Sequence, residues 1–276
     1  MLRALWRSDR LATFPAIPYP IDVHFAQQGL AIYDFGEKRL HVVDAATGRE
    51  RFAVGRRGYG PGEFGDRPVE LLGGLSRMYA VEFSDGRVTT LVGEKLQSLR
   101  VSKEGRWATG CTWGSEQLLF QTSGHEKYDN FVTTMGEDAR IVDSVAAPWP
   151  RHHALPFIVR QAQLRQIDDS TCALLPLYHR EFAIISPTAE PKVGLHIEEL
   201  PEAKAEESRT ATTGSSGIGK GARSGAVDAR TWRDYLLVLF EGTAINRLRT
   251  IDVYDRRTLM YRGSTLLPFE ASRLAV

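Results

Sequence analysis

The sequence predicts an all-β fold of the β-propeller class, and two patterns lead to that prediction. Short runs of apolar residues alternate with polar ones, and turn-forming residues separate one run from the next. These runs recur in groups of four with a period of about 45 residues, which is the range of propeller blades. We therefore predict a single domain over residues 1–276, built from four-stranded antiparallel sheets.

The first two groups are the most regular. Strands are predicted at Tyr19–Phe25, Gly29–Phe35, Arg39–Asp44 and Arg49–Val54, and then at Val69–Gly73, Arg77–Phe83, Arg87–Val92 and Leu96–Val101. The second strands of the two groups correspond best, as LAIYDF and RMYAVEF. Later groups follow the same order, so the predicted blades cover about residues 19–54, 69–101, 107–145, 157–197 and 225–263.

The end of the chain carries a remainder. Ser264–Val276 (STLLPFEASRLAV) resembles the start of a sixth blade, so we predict six blades with an irregular or incomplete closing blade. An open ring would leave unpaired strand edges. We expect the N-terminal segment Leu2–Phe14 to close the ring beside this tail. The alternatives are a five-bladed ring, an imperfect last blade, and a partner chain that completes the ring.

Residues 203–224 differ in composition from the blades. They are rich in Gly, Ser, Thr, Lys and Glu, which cannot form a buried core, so we predict a flexible insertion. Within it, Gly214–Gly221 (GSSGIGKG) matches the first seven positions of a P-loop, with Lys220 in the phosphate-binding position. Gly221 replaces the required Ser or Thr, and no buried strand or helix is predicted beside the motif. We therefore predict no nucleotide site.

The segment Gly55–Pro68 (GRRGYGPGEFGDRP) is the most distinctive in the chain. Pro61 between two glycines predicts a turn, because proline sets φ for its first central position and glycine accepts a positive φ. Phe64 is too large and apolar to be left in water, so we expect it to insert between two sheets. Pro68 is expected to begin the next strand, at an edge where no N–H group is needed.

This segment resembles a known family. The pattern GxGPGEFxxxP, followed by an apolar strand that contains a tyrosine, is similar to the NHL-repeat type of bacterial six-bladed β-propeller. It is carried by Gly58, Gly60, Pro61, Gly62, Glu63, Phe64 and Pro68, and then by Met78–Val81. The family often has an aspartate at the end of the second strand, which Asp34 retains and Glu82 replaces. The full pattern occurs once, so the resemblance implies an architecture more than a function.

Composition excludes several classes of function. The 276 residues carry a net charge of +1, which gives no argument for a nucleic-acid partner. No window approaches the about 18 uninterrupted apolar residues of a membrane span. Charged residues interrupt the N-terminal apolar stretch, so the sequence as written predicts a cytoplasmic protein; an upstream start would make it periplasmic or secreted. The two cysteines, Cys111 and Cys172, are expected to be buried or half-buried thiols.

Function is predicted only at the level of class. We expect a non-catalytic module that binds a protein or a small-molecule ligand on one face and at the mouth of the central channel. The alternative is a metal-dependent hydrolase or lyase with histidines and carboxylates in the channel. No catalytic residue and no cofactor are predicted; if a divalent metal binds, we expect His24, Asp34, Glu82 and His179 to hold it.

Overall fold

The computed structural model describes most of the chain. The described residues are 17–26, 29–73, 78–82, 87–100, 106–113, 117–123, 132–135, 141–145, 162–168, 171–178, 180–197, 205–209, 214–218, 225–242 and 245–274. Their regular structure consists of β-strands, which confirms the predicted all-β class. None of these residues forms a helix long and apolar enough to cross a membrane. The chain divides into two compact units, the first ending at Arg106 and the second beginning at Trp107.

The first unit contains two four-stranded antiparallel sheets, in which consecutive strands are neighbours. Sheet 1 consists of β1 (Pro20–Ala26), β2 (Gly29–Asp34), β3 (Arg39–Asp44) and β4 (Glu50–Val54), and sheet 2 of β5 (Glu70–Gly73), β6 (Met78–Glu82), β7 (Arg87–Val92) and β8 (Lys95–Arg100). These bounds differ from the predicted strands by at most one residue at either end, because alternating polarity and tight turns are local signals. Pro68 lies before β5 and does not begin it.

The core of the first unit lies between its two sheets. Ala31 and Tyr33 of β2 pair with Val42 and Leu40 of β3, so the four side chains lie on one face of sheet 1. Phe64 is fully buried among them. Residues of the second sheet and of the segment before it complete this cluster: Val69, Leu71, Met78, Ala80 and Leu91. The core therefore joins sheet 1 to sheet 2 through the loop that connects them.

The second unit contains sheets of two sizes. Sheet 3 consists of β9 (Arg106–Trp113), β10 (Gln117–Ser123), β11 (Val132–Met135) and β12 (Ile141–Val145); sheet 4 of β13 (Ala162–Gln166), β14 (Cys172–Pro176), β15 (Glu181–Ser186) and β16 (Ala189–Leu195); sheet 5 of β17 (Ala205–Arg209) and β18 (Gly214–Ile218); and sheet 6 of β19 (Ala226–Trp232), β20 (Tyr235–Phe240), β21 (Thr250–Asp255) and β22 (Tyr261–Leu266). In sheets 4, 5 and 6 the paired strands are antiparallel.

The prediction of six four-stranded blades is wrong for the described part of the chain. Five sheets have four strands each, and sheet 5 has two. Sheet 5 lies within residues 203–224, where the sequence predicted an insertion outside the blades. Its strands carry charged residues, glycine and serine in place of alternating apolar residues, which explains why the pattern did not predict them. The P-loop-like residues Gly214–Ile218 form strand β18, so they do not have the loop that a phosphate site needs.

Sheets 3 and 4 are joined by a covalent bond that corrects a prediction. Cys111 of β9 and Cys172 of β14 form a disulfide, with their Cα atoms 6.4 Å apart, instead of two separate thiols. Both lie in an apolar cluster with Leu164, Leu174 and Ile185. Because 61 positions separate the two cysteines in sequence, no local spacing signals their pairing.

The tail after β22 returns along sheet 6. Strand β22 already includes Ser264, so the residues predicted to start a sixth blade begin within the fourth strand of this sheet. The amide of Leu267 donates to the carbonyl of Arg249, and Leu274 packs on Leu237 and Leu239. The N-terminal segment predicted to close the ring, residues 2–14, lies outside the described residues.

An equivalent aspartate appears in the first strand of sheet 1 and of sheet 6. Asp22 Oδ2 accepts the amide N–H of Leu71, in the first strand of the following sheet, at 2.6 Å. Asp228 Oδ2 accepts that of Leu274 at 2.6 Å. The Oδ1 atom of each aspartate also accepts the amide N–H of the next residue in its own strand, Val23 or Ala229, and a register shift lies beside it. Leu274 therefore makes the same hydrogen bond to Asp228 that Leu71 makes to Asp22.

Candidate functional site

The glycine-rich loop between the first two sheets is closed over its own glutamate. Glu63 Oε2 accepts the amide N–H of Gly60 at 2.7 Å, and Arg56 Nε donates to Oε1 at 2.9 Å. The Gly60 amide, followed by Arg56, lowers the pKa of Glu63. A Cβ atom on Gly58 would lie 2.1 Å from Oε2, and Gly58 has φ = +152°, so the backbone conformation and the glutamate contact both favour glycine here. The loop is thus held by its own residues.

Arg87 and Glu82 support the same loop from sheet 2. Arg87 donates to the carbonyl of Gly60 at 2.6 Å and to that of Glu63. Glu82 accepts the amide of Gly65 at 2.8 Å and lies 3.6 Å from Arg87 Nε. Glu82 is 1% exposed. Its contacts orient the loop, which is a structural use of a residue that the sequence predicted as a metal ligand.

The other predicted metal ligands are separated by their roles. His24 is buried, and its Nε2 donates to the carbonyl of Gly73 at 2.9 Å, which links sheet 1 to sheet 2. Asp34 Oδ1 accepts the amide of Gly36 at 2.8 Å and that of Tyr19 at 3.2 Å, so it forms the turn after β2. His179 lies outside the described residues.

A different set of ligand-type side chains surrounds Asp34. Oxygens of Asp34 and Glu37 and a ring nitrogen of His41 lie within 4.8 Å of one another. Among the described residues this is the one group of three such side chains, and His24 and Glu82 do not belong to it. Asp34 and His41 are buried and Glu37 is exposed. A four-residue turn between two paired strands is the sequence signal that would have found the group, because it brings Asp34 and His41 onto one face.

A polar pocket lies in the second unit, beside sheet 6. Its volume is about 170 Å³, and it is lined by Ile197, Phe240, Gly242, Asn246, Thr250, Asp252 and Ser264. Ser264 Oγ donates to Asp252 Oδ1 at 2.6 Å. The Tyr261 hydroxyl lies 2.7 Å from Ser264 Oγ and donates to it, because the Ser264 proton is used on Asp252. The pocket is therefore lined by hydroxyl, amide and carboxylate groups together with the ring of Phe240.

Burial raises the pKa of a tyrosine on this face of sheet 6. Asp252 is 2% exposed, and Tyr254 lies two residues further along β21, on the same face. Burial, followed by the negative charge of Asp252, raises the pKa of Tyr254. The neutral form of the Tyr254 phenol is therefore favoured further on this face.

Exposed apolar residues occur at the pocket and next to its lining residues in the chain and in the β-ladder. Ile197 lines the pocket and is exposed. Leu266 pairs with the pocket residue Thr250 in the β21–β22 ladder, so its side chain lies on the same face. Ile245 precedes the pocket residue Asn246 and is 85% exposed. Ile197 is thus an exposed apolar residue of the pocket, and Ile245 and Leu266 are exposed apolar residues adjacent to pocket residues in sequence and in the ladder. We call Ile197, Ile245 and Leu266 the apolar rim.

The sequence also contains a repeated turn motif, Asp-x-x-Thr, that was not among the predictions. At the end of β3, Asp44 Oδ1 accepts the amide and the hydroxyl of Thr47, both at 2.8 Å. At the end of β21, Asp255 Oδ1 accepts the same two groups of Thr258, both at 3.0 Å. The spacing Asp-x-x-Thr after a third strand is the signal that identifies this turn.

Comparison with known proteins shows the fold and does not show a family. No protein-family model matches the chain, and no curated protein matches it. The resemblance to the NHL-repeat family therefore stays a prediction.

Solved structures similar to the chain include three of diverse biology. A Bacteroides fragilis protein described as exported has a TM-score of 0.57 and 12% identity, over 93% of this chain and 73% of that one. A nidogen/laminin complex gives 0.53 and 11%, over 90% and 80%. Streptogramin B lyase gives 0.52 and 11%, over 93% and 72%. At this identity the structural similarity shows the β-propeller fold, as the sequence predicted. It does not show the function, which has to be argued from the site.

Proposed function

We propose that this protein is a non-catalytic binding module that docks a partner protein on sheet 6. The observation that carries the proposal is the pocket at Asp252 and Ser264 with its apolar rim of Ile197, Ile245 and Leu266. Clustered exposed apolar side chains around a few polar groups mark interaction surfaces in soluble proteins. The class of function is the one predicted from the sequence, and this pocket replaces the predicted channel mouth.

The size of the pocket favours a protein over a free small molecule. Small-molecule sites usually have volumes of about 300–1,000 Å³, and this pocket has about 170 Å³. It accommodates one side chain of a partner, which would be hydrogen-bonded by Asn246, Thr250 or Asp252 while the apolar rim packs around it. Since Asn246 and Thr250 each offer a donor and an acceptor, we propose that this side chain is a polar one.

The predicted alternative, a metal-dependent hydrolase or lyase in the channel, gains little support. His24 is hydrogen-bonded to a backbone carbonyl and Glu82 to a backbone amide, so both side chains stabilise the fold. An acid–base or metal mechanism would need these groups to converge on one point. We therefore propose the binding module alone.

Substitution of the rim tests the proposed function. We expect the double variant I245D/L266D to lose affinity for the partner at least tenfold, because two charges would be desolvated on docking. V193D is the matched control, because Val193 is also an exposed apolar residue. Val193, on β16, pairs with Ala183, and Ala183 belongs to the core cluster on the side of sheet 3, away from the pocket. The partner is isolated by quantitative affinity capture and its affinity is then measured with purified proteins by calorimetry. Equal affinity of both variants would contradict the proposal.

The disulfide bears on where the protein works. Stable disulfides form in oxidising environments and are rare in the cytoplasm of mesophiles. Cys111–Cys172 is buried in an apolar cluster, as a structural bond is. We propose that the protein functions in the periplasm or outside the cell, instead of in the cytoplasm as the sequence predicted. Labelling of free thiols in freshly lysed cells tests this, and two reactive thiols per chain would contradict it.

A further inference from the structure

We propose that Asp34, Glu37 and His41 form a binding site for a divalent transition-metal ion, with zinc as its representative. Carboxylate oxygens and an imidazole nitrogen are a ligand set that Zn²⁺ takes in proteins. Calcium and magnesium prefer oxygen ligands alone, so the histidine selects against them. The site lies in the first unit and does not depend on the proposed function, whose pocket lies in the second.

A single hairpin brings the three side chains together. Asp34 ends β2, Glu37 lies in the turn, and His41 is in β3. Asp34 pairs with Arg39 in the β2–β3 ladder, and His41 follows Arg39 by two residues. Residues two apart on a strand share a face, so Asp34 and His41 are diagonal neighbours on one face of sheet 1. The ligand set is therefore built into local structure.

Among the described residues, two buried atoms of this group have no hydrogen-bond partner. Asp34 is fully buried; its Oδ1 accepts hydrogen bonds in the turn, whereas Oδ2 has no partner in the described part of the chain. His41 is 4% exposed; its Nδ1 lies 2.7 Å from Glu50 Oε2, and its Nε2 has no partner among the residues that the structure describes. Each unsatisfied buried polar group costs about 1–3 kcal/mol. A cation bound to both atoms would remove that cost.

Glu50 prepares His41 to act as a ligand. If Nδ1–H donates to the Glu50 carboxylate, the lone pair of the neutral ring resides on Nε2. The same carboxylate–imidazole–metal arrangement orients histidine ligands in many metal sites and raises their basicity. Glu50 thus fixes the tautomer that a metal ion needs, although it does not contact the proposed ion.

The third ligand, Glu37, is the exposed member of the set. Ligand atoms around tetrahedral zinc are about 3.4 Å apart, given bonds of about 2.1 Å, whereas these atoms lie within 4.8 Å of one another. Glu37 is exposed, and its ion pair with Arg39 is long, at 4.0 Å. A rotation of the Glu37 side chain can close the site. Arg39 is a positively charged neighbour of Glu37 that opposes the cation, so we expect weaker binding than in closed structural zinc sites.

Zinc titration of the purified full chain tests the proposal. After treatment with a chelator, Zn²⁺ is titrated by calorimetry into the wild-type protein, E37Q and H41Q. E94Q is the matched control, because Glu94 is an exposed glutamate in the turn between β7 and β8. We expect one zinc ion per chain, an affinity at least tenfold lower in E37Q, no binding at this site in H41Q, and no change in E94Q. Bound Co²⁺ should show visible absorption that H41Q abolishes.

Two results would overturn the site. One is equal zinc affinity of E37Q and E94Q, which would place any bound zinc on other histidines of the chain. The other is the absence of saturable binding in the wild-type protein. If circular dichroism shows that H41Q is unfolded, E37Q still decides, because its side chain is exposed and the substitution preserves its shape.

Discussion

Phe64 is the residue on which packing of the first unit depends. Its ring meets Tyr33 edge-on with centroids 5.0 Å apart, and it touches apolar side chains of both sheets. A Cβ atom on Gly55 would lie 2.5 Å from the ring, and Gly55 has φ = +97°. Glycine is therefore required there twice, by backbone conformation and by space. The loop and its aromatic residue form one packing unit.

Substitution of Phe64 by alanine tests this role. We expect F64A to lower the free energy of unfolding by about 3–5 kcal/mol, since it empties a closed site between two sheets. F269A is the control, because Phe269 is 59% exposed and its truncation leaves no buried cavity. Both are measured by urea denaturation followed by fluorescence. Similar losses in the two variants would show that Phe64 contributes no more than a surface residue.

At the scale of elements, an ionised aspartate stabilises the hairpin turn after the third strand of two sheets. In β3–β4 and in β21–β22 an aspartate accepts two hydrogen bonds from a threonine three residues later. Bonds from Thr47 lower the pKa of Asp44. The pKa of Asp255 is also lowered, first by the guanidinium of Arg262 and then by Thr258. The ionised form is thus the one that stabilises each turn.

The stability of these turns should depend on pH in a defined direction. A carboxyl group whose pKa is lower in the folded state contributes stability above its unfolded pKa of about 3.9, and that contribution is lost as the pH falls through the folded value. We expect D44N and D255N to melt at lower temperature than the wild-type protein at pH 6. The difference should shrink progressively as the pH is lowered below 4. Melting curves from pH 7 to pH 2 measure it.

The control for this series is D234N, at an exposed turn residue of the same sheet as Asp255. It should show the same difference from the wild-type protein across the pH range. If the deficits of D44N and D255N are also independent of pH, the negative charge is not what stabilises the turns.

At the scale of the molecule, the second unit is cross-linked between two neighbouring sheets. Cys111–Cys172 joins β9 to β14, and Gln166 of β13 accepts two hydrogen bonds from Thr112 beside it, both at 2.6 Å. The bond closes a loop over 61 sequence positions. A crosslink of this length restricts the unfolded chain, and the chain-entropy model gives about 4 kcal/mol of stabilisation.

Removal of the disulfide should lower stability without changing the fold. We expect C111A/C172A to lose about 4 kcal/mol in the free energy of unfolding, and the reduced wild-type protein to behave similarly. Urea denaturation with and without dithiothreitol measures both effects. The double variant is its own control for the reductant, to which it should be indifferent. Two free thiols in the native, oxidised wild-type protein would contradict the pairing.

The sequence by itself determined the local features of this protein. Alternating polarity and turn residues placed the eight strands of sheets 1 and 2 to within one residue, because both signals act over a few neighbouring positions. The role of Phe64 also followed from local facts, namely a large apolar side chain in a glycine-rich loop. The Asp-x-x-Thr turns are equally local, and their spacing was present in the sequence to be found.

Only the tertiary structure decided which distant residues meet. It paired Cys111 with Cys172, joined Asp22 to Leu71, and gave His24 and Glu82 hydrogen bonds to backbone groups. It also showed that a polar segment forms the two-stranded sheet 5, and it assembled the pocket at Asp252. The physical reason is that such contacts depend on how sheets pack, and packing is summed over many weak interactions that no short spacing records.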